Sequence, residues 1–153
     1  MKANEKAPRG WPAALVMFHV AMWRERLRDS LRAAIDGVEY KLPGNRDEIN
    51  DAELPNGIGT PLADAAARAE HLLTELIDLI DKVGDRKFNW LADVGAAEAV
   101  LRNSYSHPRR HMYDYFLENE ELDRAHGLIE DGLRELRSLN SSDYVLEYLT
   151  EVE

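Results

Sequence analysis

A long apolar stripe with a start signal in front and a stop signal behind most constrains how this chain can fold. Leu62, Ala65, Ala66, Ala69, Leu72, Leu73, Leu76, Ile80 and Val83 recur every three or four residues, which puts them on one side of a helix. Thr60 and Pro61 precede the run and Gly84 follows it. A threonine cap, a first-turn proline and a glycine able to take the left-handed conformation are what helix ends require. A stripe of this length must be buried against something. No segment shows the sustained alternation of a strand, and β-branched residues are few, so the partners are other helices.

Three more helices are readable. The first runs from about Trp11 to Asp36, with Pro12 in its first turn, Val16, Val20, Trp23, Leu27, Leu31 and Ala34 as its stripe, and Gly37 as its stop. A third begins after Asp93 and carries Ala97, Val100, Leu101, Ser104, His107, His111 and Tyr115. A fourth begins near Asn119, read as its cap, with Leu122, Ala125, Ile129, Leu133 and Leu136 inward. Gly127 and Gly132 would permit close approach of a neighbour, and a short final helix is expected over Asp143 to Glu151. Between the first two helices, Tyr40 to Gly59 has Pro43-Gly44, Asn56-Gly57 and no helical period. It reads as a long crossover loop, of the length that often carries function, including as a lid. The expected fold is all-α, a four-helix bundle with one long crossover loop. Residues 1–153 form one domain, large enough for a real core, with residues 1–10 flexible.

Composition narrows the function classes. The formal charge of −10, from 29 acidic and 19 basic residues, repels phosphate backbones, so no nucleic-acid partner is expected. No apolar run approaches 18 residues, and Met1 to Gly10 lacks the apolar centre of a signal peptide. A cytoplasmic protein with no membrane partner is expected. There are no cysteines, so any metal must be held by His, Asp or Glu.

The run Ser106-His107-Pro108-Arg109-Arg110-His111 carries the chemistry. Its histidines are four apart, so on a helix both project from one face, about 5–6 Å apart at Cβ. Two imidazoles at that spacing can share one metal ion. Pro108 either kinks the helix or starts it, with His107 near the cap. His19 lies beside the Val16, Val20, Trp23 seam and is the candidate third ligand; alone it reads as a boundary histidine packed on Trp23. His71 shares its face with Arg68, Glu75, Asp78 and Lys82, and is solvated. His126, beside Leu122, Ile129 and Leu133, reads as boundary packing, with a fourth ligand or a support for a ligand as the alternative. Arg102, Arg109 and Arg110 read as surface ion pairs, or as a grip on the carboxylate of a small thiol or other substrate. Asp114 reads as a surface carboxylate. Tyr115 is the candidate for supporting a ligand or moving a proton.

The pattern Trp11-x-x-Ala14-Leu15-x-x-x-His19-x-x-x-Trp23, with Tyr105-x-His107-Pro108-x-x-His111-x-x-x-Tyr115, resembles DinB-like four-helix-bundle proteins, most closely the ClbS/DfsB-type branch. The resemblance covers most of the chain. It implies that His19, His107 and His111 hold one divalent ion with an open position, the imidazole donors suiting Zn, Ni or Fe. It also implies a small-molecule substrate, with a low-molecular-weight thiol as one class, and hydrolase or thiol-dependent transferase activity. Family members carry a full helix before the Trp-to-His segment, where this chain has about ten polar residues. The fourth helix then comes from the region after Glu120 or from the partner subunit of a homodimer. The competing reading is a non-catalytic helical bundle that binds a partner or a small ligand. Its histidines would be structural and metal-free, and Trp11, Trp23 and Trp90 would be core or interface anchors.

Overall fold

The computed structural model describes residues 10–83 and 102–138. Helix α1 spans Ala13–Asp36, α2 Arg46–Glu53 and α3 Leu62–Val83. A π turn, Arg102–Ser106, leads directly into α4, His107–Glu118, and α5 spans Leu122–Ser138. Among the described residues there is no strand, and no helix is long and apolar enough to cross a membrane.

Helix α1 is the central element. It packs along α3 and also meets α4, the π turn and the 3-10 turn Leu54–Gly57. Its residues Leu15, Val16, Val20, Ala21, Met22, Leu27 and Leu31 are buried. The seam with α3 has one cluster of Val20, Ala21, Ala69 and Leu72, and a second of Leu27, Leu31 and Leu76. Ala21 and Ala69 are wholly covered, and small side chains at a crossing let two helix backbones approach closely. Each fully buried leucine or valine contributes about 1.5–3 kcal/mol. The rim of the seam is ionic: Arg28 reaches Glu25, Asp29 and Glu75, and Arg68 reaches Glu25. Such partly exposed pairs each add little.

Two helix ends differ from expectation by their caps. Pro12 lies outside α1 as its cap, accepting the Leu15 and Val16 N–H groups on its carbonyl. Gly37 does close α1, at φ 69°, with the Gly37 and Val38 N–H groups bonded back to Ala34 and Ala33. Asn119 ends α4 and does not begin α5: its backbone and side-chain N–H groups donate to the Tyr115 carbonyl. Glu120 turns the chain at φ 59°.

The segment 40–59 is not a structureless crossover. Asn45 and Glu48 form a complete capping box, the side chain of each bonded to the backbone of the other, which starts α2. Ile49 and Leu54 are its buried anchors. With only one buried position in eight residues, α2 has no period to read in the sequence. Trp23 Nε1 donates to Asn50 Oδ1 at 3.1 Å and Arg26 pairs with Glu53, so the segment is fastened to α1 and is no free lid. Gly57 lies directly on α1: a Cβ there would stand 2.5 Å from Phe18 Cδ1.

Helices α4 and α5 form a hairpin. The Tyr105 hydroxyl lies 3.0 Å from the Gly132 carbonyl, and the Arg109 guanidinium covers the Tyr105 ring while bonding Glu135. A Cβ at Gly132 would meet Arg109 and Tyr105 at an ordinary 3.7 Å and one at Gly127 would meet nothing within 4 Å, so neither glycine is required for the helices to approach. The stop at Gly84, the positions Trp90, Ala97, Val100 and Leu101, and the expected helix over 143–151 lie outside the described residues.

The two glycines give opposite expectations. Gly57→Ala should cost about 1–3 kcal/mol through the clash with Phe18, and Gly127→Ala should gain up to about 1 kcal/mol from helix propensity. Chemical denaturation of both variants checks this; equal stabilities would contradict the placement of the 3-10 turn on α1.

Candidate metal centre

His19, His107 and His111 meet. Each offers a ring nitrogen, and the three nitrogens lie within 4.8 Å of one another. His107 Nε2 is 3.2 Å from His19 Nε2 and 2.7 Å from His111 Nε2. The backbone explains the convergence. His107 is the first residue of α4 and Pro108 sits in its first turn, directly after the π turn Arg102–Ser106, so the proline, which has no N–H to donate, falls where the regular α-helical bonding pattern begins. The spacing of His107 and His111 is therefore one undistorted turn, and α1 presents His19 across from it. The π turn before His107 is the kind of helix irregularity common at functional sites.

Burial sets the charge state. It pushes His19 down to about 2, with the His111 and His107 charges adding to the effect. It pushes His107 to about 3, helped by His111, Arg102, Arg24 and Arg46. It pushes His111 to about 4, helped by Arg110. All three imidazoles are neutral near pH 7, the form that donates a lone pair to a metal.

Hydrogen bonding alone does not satisfy the cluster. A neutral ring nitrogen either donates one proton or accepts on one in-plane lone pair. His107 Nε2 faces two other Nε2 atoms and can bond fully to only one of them. A cation accepting all three lone pairs removes the conflict. Ligands at about 2.0–2.1 Å in a tetrahedral set stand about 3.3 Å apart. The 3.2 Å separation fits, the 2.7 Å one must open by roughly half an ångström, and the His19–His111 pair lies within 4.8 Å. The donor set and its placement thus suit one divalent ion. The Nδ1 atoms of all three are buried without a partner among the described residues. The carboxylate or carbonyl that commonly holds a ligating histidine from behind is not among those residues.

Aromatic walls enclose the centre. Trp11 lies parallel to His111, at 14° and 6.3 Å, and edge-on to His19 at 5.4 Å. Trp23 stands edge-on to the His19 ring at 6.4 Å. The Gly10 N–H donates to Glu118 Oε2 at 2.8 Å, tying the segment before Trp11 to the end of α4. Trp11 and Trp23 thus pack on the histidine cluster.

The other candidates lie elsewhere. Tyr115 packs edge-on to Phe116 and makes no hydrogen bond to the three histidines among the described residues. Asp114 is largely covered and lies 3.5 Å from Arg110, and Arg109 bonds Glu135. His71 is exposed beside Glu75, as expected. His126 is also exposed, 3.8 Å from Glu130, because the inward side of α5 is carried by Ala125 and Gly132; the expected boundary packing is corrected. Sequence reasoning missed Arg24, which is 8% exposed. Its signal was a charge at a stripe position, four after Val20 and three before Leu27. No family model, no curated protein and no solved structure matches the chain.

The neutral histidines make the metal-free protein acid-sensitive. Their folded pKa values lie below the unfolded value near 6.5, so as pH falls below 6.5 the unfolded chain takes up protons that the folded one refuses. Stability should drop by up to about 1.4 kcal/mol per pH unit for each histidine. Urea unfolding of metal-stripped protein at pH 7 and pH 5 checks this; an unchanged midpoint would contradict the burial of the three rings.

Proposed function

We propose that this chain is a metal-dependent enzyme on a four-helix bundle of the DinB-like, ClbS/DfsB type. One divalent ion would be held by Nε2 of His19, His107 and His111. The observation that carries the reading is the convergence of three neutral imidazoles, His19 buried and His107 and His111 partly buried, whose nitrogens cannot satisfy one another. The order of the ligands, one from an early helix and a pair one turn apart from a later one, agrees with that family's pattern.

A divalent ion on three imidazoles keeps at least one position open, where it acidifies a water or takes a thiol as thiolate. The proposed activity is therefore hydrolysis, or transfer using a small thiol. The chain's own residues have distinct tasks. The histidines bind and stay unprotonated at neutral pH because they are buried. Trp11 and Trp23 exclude bulk water from the ligand rings, which strengthens electrostatic interactions at the centre. With Asp114 beside Arg110 and Tyr115 against Phe116, neither is assigned the proton transfer.

Metal analysis of protein grown in metal-replete medium tests the assignment. Wild type should carry about one divalent ion per chain, and His107→Ala and His111→Ala should lose it while keeping their helical circular dichroism. Metal-free wild type with both variants folding normally would overturn the reading in favour of a non-catalytic bundle with structural histidines.

A further inference from the structure

Among the aromatic rings that touch the three histidines, Trp11 is the one that no helix holds. Its ring lies parallel to His111 at 6.3 Å and edge-on to His19 at 5.4 Å. It precedes α1, which begins at Ala13 and is capped by the Pro12 carbonyl, so α1 keeps its first bonds wherever the indole goes. The other wall is fixed: Trp23 lies inside α1 and its Nε1 donates to Asn50 Oδ1 at 3.1 Å. The Trp11 indole N–H has no such partner among the described residues, and the residue is only partly buried. Trp11 also belongs to neither buried cluster of the α1–α3 seam.

Among the described residues, one polar contact tethers the segment: the Gly10 N–H donates to Glu118 Oε2 at 2.8 Å, between exposed groups. Both ends of that bond stand against local preference. Glu118 is the last residue of α4, where the helix dipole favours cations and disfavours a carboxylate, and it makes no ion pair among the described residues. Gly10 stands at φ 76°, in the region that favours glycine, although a Cβ there would meet nothing within 4 Å. The turn, not crowding, calls for the glycine. A segment held by ring contacts at one end and by a single exposed bond at the other opens locally while the rest of the chain stays folded. The centre beneath it is enclosed: His19 is 4% exposed and the Nδ1 atoms of all three rings are sealed. Moving α1 would break its seam with α3, whereas Trp11 swings away without breaking any helical hydrogen bond.

We propose that Trp11 is a hinged cover on the three-histidine centre, turning about Gly10 and latched by Glu118, and that it controls passage of the ion and of the small molecule that binds it. The use of the cover rests on the metal reading above; its existence does not. Glu118 acts through the Gly10–Trp11 segment and is not a ligand of the ion.

Two rates test this. In metal-stripped protein, diethyl pyrocarbonate modifies neutral imidazoles, and peptide mass spectrometry reads each histidine separately. His111 should react about tenfold or more faster in Trp11→Ala than in wild type, from the loss of its ring contacts. It should react about threefold faster in Glu118→Ala, from the loss of one hydrogen bond, with exposed His126 unchanged as the control. In cobalt-loaded protein, loss of the ion to excess chelator should accelerate by the same factors. Glu118→Gln keeps an acceptor oxygen and should stay within about twofold of wild type. Unchanged rates in both alanine variants would overturn the proposal. Acceleration in Trp11→Ala with none in Glu118→Ala would also overturn it, since Trp11 is then a fixed wall. Should Trp11→Ala fail to fold, Glu118→Ala, which alters none of the rings, decides alone. Faster modification of His111 in both variants of a protein that takes up no cobalt would support the cover and overturn the metal reading.

Discussion

The placement of His19 on the most enclosed stretch of α1 is the constraint on which the rest of the molecule depends. Residues 19–22 of α1 are all buried, so the helix has no solvated face there, and an imidazole in that position must be satisfied inside the protein. Packing of α1 on α3 through Ala21 and Ala69 fixes the helix axis. Packing of α1 on α4 and the π turn brings His107 and His111 to the same point. The hydrophobic seam and the polar cluster are consequently one construction: the leucines and alanines that stabilise the fold also hold three nitrogens within 4.8 Å of one another.

Electrostatics at that point run against the character of the chain. The chain carries a formal charge of −10, yet Arg102, Arg24 and Arg46 act on His107 and Arg110 acts on His111. Burial and those cations act in the same direction, keeping the rings unprotonated. A cation shared by the three neutral rings would remove the conflict among their nitrogens.

Much of this was legible from residue spacing. Helices α1 and α3 announced themselves by long apolar stripes with glycine or proline punctuation, and the pairing of His107 with His111 followed from the four-residue spacing. His19 could be named from the sequence only as a candidate third ligand, because one histidine beside a seam carries no information about what faces it. The misses share a cause. Helix α2 is held by a capping box and a single buried isoleucine, so it has no periodic signal. Asn119 is a good cap at either end of a helix, and only the tertiary turn at Glu120 decides which. His126 sits among apolar residues in sequence, but the small residues Ala125 and Gly132 occupy the inward side of α5. Arg24 was visible as a charge on an apolar stripe; that it bonds the Ala69 carbonyl while the adjacent Glu25 pairs with Arg28 and Arg68 is a property of the folded arrangement.

X-ray absorption at the edge of the bound metal tests the central claim most directly. The account predicts about three nitrogen scatterers at about 2.0–2.1 Å with the outer-shell pattern of imidazole rings, plus lighter non-imidazole scattering from an open position. A shell built of oxygen alone, with no imidazole pattern, would contradict it.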